Sequence, residues 1–201
     1  KAITVLTAIV AAATVITTLL SIGIADDASD FLAGDLTDDE FRDSLASWTA
    51  VQSIASVATL VSAIVTMIWM YRIAGNIRAF GRRTTWSPLF SIFGWFLPPF
   101  FLYVIPFLVL REQWKGSDPT VDETDGWKAN DDNRTLWGWF VFYGLLPLVL
   151  FVAQIGSVAS AGLGSGAIET VAESLAQVSA LTFLSAVSVV GAAVFWISFV
   201  R

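Results

Sequence analysis

Between residues 2 and 25 no side chain carries a charge. A helix of that length reaches roughly 36 Å at about 1.5 Å per residue, against about 30 Å for the hydrocarbon core of a bilayer. Nothing else restricts the fold so severely, because it decides the solvent in which every later residue is read. The run is also longer and more uniformly apolar than the core of a cleavable signal, so it reads as a retained span. Three more blocks of spanning length follow, at about 47–70, 135–155 and 178–200. The expected fold is an all-α integral membrane protein, a single membrane domain over residues 1–201 with four transmembrane helices.

A fifth apolar block, 86–110, lies between the second and third spans and contains Pro88, Pro98, Pro99 and Pro106. Its length permits a crossing, so its path is decided by charge. Lys and Arg concentrate on the cytoplasmic side of a membrane protein, whereas acids count for little. A crossing gives five spans with five basic residues inside and six outside. A return to the same side gives four spans with ten inside and only Arg42 outside. The prolines agree, because Pro98 and Pro99 lack two backbone donors mid-block and break a straight helix. Each arm, 86–97 and 100–110, then covers roughly 16 Å, about half the core. The expectation is a proline-broken re-entrant helical hairpin. Its tip, with Trp95, Pro98 and Pro99, and the returning arm with Pro106, pack against other helices, since freed backbone at that depth must be covered. Five spans are the alternative. With four, both termini are cytoplasmic.

The outer loop 26–43 has eight carboxylates against Arg42. Thr37-Asp38-Asp39-Glu40 fits the capping box and predicts a helix that starts at Asp38 and runs into the second span. Asp30 is placed as the cap of a short turn carrying Phe31 and Leu32. In the cytoplasmic loop 111–134, Asp132 or Asn133 is placed to cap the next span. Further on, Ile168, Val171, Ala172 and Leu175 share one side of an amphipathic helix. That helix suits either the membrane surface or a neighbouring subunit, or packing on the first and second spans.

The chain has no cysteine and no histidine. Thiolate chemistry, the commonest general base and the commonest metal and haem ligands are all missing. No catalytic, cofactor or metal site is expected, and the protein is not expected to be an enzyme. A net charge of −6 argues against nucleic acid as a partner. No Asp, Glu, Lys or Arg falls in the middle of a span, which argues against ion-coupled transport. Small-residue pairs are more telling. Ala8 and Ala12 form one, and Ser188 and Ala192 beside Gly191 form another; such surfaces let helices approach closely, within the bundle or against a partner. Residues 71–83 carry the sharpest local pattern. Arg72 and Asn76 share a face one turn apart, Arg78 and Arg82 share another, and Arg83 follows. Beside the inner leaflet such arginines attract anionic headgroups by about 1 kcal/mol each. Asn76 or Arg72 also stands where it would satisfy carbonyls freed by the hairpin prolines.

Several of these residues occur in a recognisable order. Tyr71-Arg72 with Asn76 and Arg78 to Gly81, Ser87-Pro88, Trp95-Phe96-Leu97-Pro98, Pro106 and Arg111-Glu112-Gln113-Trp114 resemble domain-of-unknown-function family 4328. Its members are multi-span membrane proteins common in actinobacteria. The resemblance covers about 49–150. It implies the fold and a bacterial source, and it implies no chemistry. This chain departs from the family pattern at Trp137-Gly138-Trp139, where tandem tryptophans are expected, and in its long acidic loop.

Two functions suit these features. One is a non-catalytic accessory or structural subunit of a larger bacterial inner-membrane complex, of a respiratory or energy-converting kind, docking through the small-residue faces. The alternative is a small channel or a lipid- or solute-handling protein that uses the hairpin. The expected partners are membrane lipids, anionic at the inner face, and proteins of the complex; no cofactor is expected. A cysteine introduced as Ser117→Cys is expected to be labelled by impermeant maleimide only from the cytoplasmic side. Labelling from outside would restore five spans.

Overall fold

The computed structural model describes residues 1–120, 124–152, 168–176 and 180–201. Among them there is no strand, and four helices are long and apolar enough to cross a bilayer. The chain is an all-α membrane protein.

Helix α1, Ala2–Ala33, outruns its apolar stretch by a further eight residues. The expected break after residue 25 does not occur, and Asp30 caps nothing. The buried stripe Ile24, Ala25 and Ala28 continues past the acids, while Asp26 and Asp30 face outward and remain solvated. Only Gly34, at φ 84°, ends the helix. Helix α2, Asp38–Ala79, begins where the capping box predicts. Thr37 Oγ1 accepts from Glu40 N–H, and Glu40 Oε2 accepts from Thr37 N–H at 3.0 Å. Phe41 is fully buried and stacks on Phe31 at 4.8 Å, closing the α1–α2 turn. At 42 residues α2 is about 63 Å long and projects beyond a bilayer at both ends.

The block 86–110 does not form one helix. A short helix α3, Phe90–Phe93, and a 3-10 turn, Gly94–Phe96, lead to Leu97 and Pro98, whose extended backbone (ψ 160° and 152°) reverses the chain. Helix α4, Pro99–Gly116, then returns. The arms are unequal because Pro99 sits in the first turn of α4, where its missing donor costs nothing, and α4 runs on past Leu110. Pro106 lies inside α4 without ending it.

Helix α5, Arg134–Val152, is capped by Asn133, whose Oδ1 accepts from Thr135 and Leu136 N–H. It widens into a π turn at Val141–Leu145. Residues 153–155, which were expected to complete this span, lie outside the described residues, as do 156–167 and 177–179, where the last span was expected to begin. The amphipathic helix α6, Ile168–Leu175, packs on the bundle's own helices, with Ala172 buried among Ile24, Ala28 and Phe41. Helix α7, Ala180–Val200, completes the set.

These elements form a ring. α2 packs on α1, α1 on α7, α7 on α5, α5 on α4, and α4 returns to α2. The small residues set its closest approach. A Cβ at Gly191 of α7 would fall on the Phe142 ring of α5, and one at Gly138 of α5 would fall on Phe195 of α7. The two rings stack at 5.7 Å, so each glycine seats the other helix's aromatic. Gly138→Ala and Gly191→Ala are each expected to destabilise by about 1–3 kcal/mol, seen as a lower unfolding temperature in detergent. Gly75→Ala, with nothing within 4 Å, is the control and is expected to be neutral or slightly stabilising. Unchanged midpoints for the first two would mean that the rings are not seated there.

Candidate functional site

Helical spacing puts Pro106, Leu110 and Gln113 on one face of α4, and all three are buried. Gln113 is therefore a polar side chain facing apolar neighbours, and its hydrogen bonds explain the fold of the hairpin. Its Nε2 donates to the Met70 carbonyl of α2 and to Oγ of Ser91 in α3, each at 3.0 Å. One amide thus ties both arms to α2. Glu112, beside it, accepts from Thr85 N–H at 2.9 Å and Trp86 N–H at 3.0 Å. Arg82 donates to the Gly116 and Asp118 carbonyls. The two ends of the block therefore lie side by side, whereas a straight crossing would hold them about 36 Å apart.

A second knot closes the same end. Asp132 receives both Arg111 Nε at 2.7 Å and Nη2 at 2.8 Å, and Lys115 approaches it at 3.2 Å. The Arg111 hydrogen bonds hold the Asp132 carboxyl down at about 2, so the clasp is fully charged across the neutral and mildly acidic range. Its contribution to stability is present above the ordinary value of 3.8 and is lost as pH falls through about 2.

The residues singled out in the sequence distribute unevenly. Arg72, Asn76, Arg78 and Arg83 are exposed. Arg78 bonds Thr84 at 3.1 Å, and Arg82 alone of the set reaches the hairpin. Among the described residues no hydrogen bond joins Asn76 or Arg72 to a carbonyl freed by the prolines. The side chains that tie the block to α2 and its end are instead Gln113, on Met70 and Ser91, and Arg82, on Gly116 and Asp118. Ser188, Gly191 and Ala192 face inward: the Ser188 hydroxyl donates to the Phe142 carbonyl in the π turn, where the backbone ladder has shifted its partners. Ala8 and Ala12 are exposed on α1. Trp95 packs edge-on against Tyr143 at 5.5 Å, and its Nε1–H is buried without a partner. Pro98 is exposed at the turn, and Pro106 is fully buried. Pro99 opens α4.

At the centre of the ring is a cleft of about 330 Å³. α1 contributes Thr7 and α2 contributes Ala63 and Thr66, with Trp95 and Tyr103 from the hairpin and Trp196 from α7. Trp139 and Tyr143 stack at 4.3 Å along its α5 wall. Among the described residues no charged side chain lines it. Two of its lining hydroxyls are spent on backbone, Thr59 on the Ala55 carbonyl and Ser188 on Phe142. Sequence reading missed the cleft and the roles of Gln113 and Asp132, the second placed only as a candidate cap, a position that Asn133 takes. Only Gln113 carried a signal, as a polar position on the buried face of an apolar helix.

Fold and clasp together define a four-span membrane protein with a pinned helical hairpin and an uncharged central cleft. The chain belongs to the family described as Domain of unknown function (DUF4328), whose model matches residues 33–201. No curated protein and no solved structure matches it.

Gln113→Leu removes two hydrogen bonds and strands the buried Ser91 hydroxyl, at a cost of about 1–3 kcal/mol. Hydrogen exchange across 87–97 is expected to accelerate, while exchange in α1 stays unchanged. Equal protection in the variant would show that the amide does not pin the hairpin.

Proposed function

We propose that this protein is a non-catalytic lipid-handling component of a bacterial inner membrane that holds an apolar chain in its central cleft. The observation that carries this is the cleft itself: aromatic walls, no charge, and one wall made by a hairpin that fills its place in the ring only partway. The cleft is open on one side rather than enclosed, which leaves a way in from the bilayer. Ten of the eleven basic residues lie in segments at the clasped end or at the chain termini beside it. By the positive-inside rule that end is cytoplasmic, with both termini there and the hairpin re-entering from the inner face. Ions are poor occupants, because a wall without charge or free carbonyls does not replace their hydration.

A second reading is the accessory subunit of a larger, energy-converting membrane complex. It is favoured by Ala8 and Ala12, which remain exposed beside Val5 and Ile9 on the outward face of α1.

Native mass spectrometry after mild-detergent isolation tests the first reading. The protein is expected to retain a lipid-mass adduct in the cleft, and Ala63→Trp, which fills the cleft from α2, is expected to carry one lipid fewer than the parent protein with the helix content intact. Equal retention by the variant, or no adduct on the parent protein, would sink it. A stoichiometric protein partner in the same isolation would instead favour the second reading.

A further inference from the structure

Another cavity, of about 290 Å³, lies at the clasped end, where the start of α1, the later part of α2 and the end of α7 meet. It is lined by Lys1 and Thr4 at the start of α1, by Ile68, Trp69 and Arg72 of α2, and by Val200 at the end of α7. Its chemistry is graded. Ile68 and Arg72 are one helical turn apart on the same face, so an exposed apolar surface leads directly to an exposed guanidinium. Trp69, set edge-on against Trp196 at 5.7 Å, forms the rigid floor between them. Two cationic side chains, Lys1 and Arg72, stand at the polar rim, and among the described residues no carboxylate lines the groove.

Neither cation is engaged in an ion pair among the described residues, although the acids of this end are well used. Asp132 holds Arg111 and Lys115, Asp125 holds Lys128, and Glu112 caps Thr85 and Trp86. Two unpaired cations side by side repel each other, and an anion between them relieves that cost. A solvated inorganic ion would leave the apolar half of the groove empty. A molecule with a negative head and a hydrocarbon tail fills both halves.

The geometry points to a binding site for one anionic phospholipid, its phosphate between Lys1 and Arg72 and an acyl chain along Ile68 and Trp69. The site is separate from the central cleft, shares none of its lining residues, and stands or falls without it.

The test is titration of the detergent-solubilised full chain with phosphatidylglycerol, phosphatidylcholine and free glycerol phosphate, read by native mass spectrometry. Phosphatidylglycerol is expected to bind at least tenfold more tightly than phosphatidylcholine, and glycerol phosphate not to compete at the same concentration. Arg72→Gln is expected to weaken phosphatidylglycerol about fivefold, since each cation near the surface contributes about 1 kcal/mol. Arg72→Lys is expected to keep most of the affinity. Arg78→Gln, outside the groove, is expected to change nothing. Arg72 is exposed, so loss of folding does not confuse the result; occupancy of the central cleft, followed through Ala63→Trp, is expected to be unaffected. Equal binding of the two lipids, full competition by glycerol phosphate, or an Arg72→Gln variant that binds like the parent would each overturn the proposal.

Discussion

A backbone inside hydrocarbon has no water to bond to, so every N–H and C=O must find a partner within the protein. Helices α1, α2 and α7 meet this condition along their length by themselves, and α5 does so with the Ser188 hydroxyl serving the Phe142 carbonyl at its π turn. The block 86–110 does not, because its prolines remove donors and reverse the chain at Leu97 and Pro98. The stretch survives because Gln113, Glu112 and Arg82 tie its two ends together and to α2. The buried amide of Gln113 is the central tie, since it reaches both α2 and α3. Without it the short arm, with only a four-residue helix and one 3-10 turn, has little intrinsic reason to stay folded.

The central cleft follows from the same constraint. Four crossing helices around a full fifth helix would bury a solid core. A hairpin clasped at one end reaches only partway, so the ring is filled beneath its tip and open beyond it. Within the filled half Phe107 stacks on Phe140 at 4.2 Å, and at its border with the cleft Trp139 stacks on Tyr143 at 4.3 Å. The π turn contributes to the same geometry, because the wider coil sets Phe142 into the hole at Gly191 and leaves its carbonyl for Ser188.

Much of the architecture was legible in the sequence. Span number, the capping box at Thr37 and Glu40, the chain reversal at Pro98 and the choice of Asn133 as a cap each follow from local chemistry or charge. What could not be read has physical causes. Asp26 and Asp30 look like the end of a helix only if the helix must stay in lipid. Once it projects into water, acids on its outer face cost little, and α1 continues to Ala33. Asn76 and Arg72 have the right chemistry to serve the hairpin, but the rotation of α2 points them outward; Gln113, from the opposite side of the contact, reaches inward instead. Small residues at 188, 191 and 192 announce close approach without naming the partner, which proves to be α5 of the same chain.

That last assignment changes the functional balance. A docking subunit needs surfaces that its own fold leaves unused, and two of the surfaces with that character are occupied internally. α7 spends Gly191 on Phe142, and α6 spends Ala172 on α1 and α2. What remains outward on α1 and α2 is mostly large and apolar, such as Leu19, Ile54, Val57 and Leu60, which lipid covers as well as protein does. The features that lipid does not explain by simple contact are concave: a central uncharged cleft, and a rim groove whose two cations have no carboxylate between them. A protein whose convex faces suit ordinary lipid and whose concave faces suit particular lipid parts is better suited to holding lipid than to filling a gap between larger subunits.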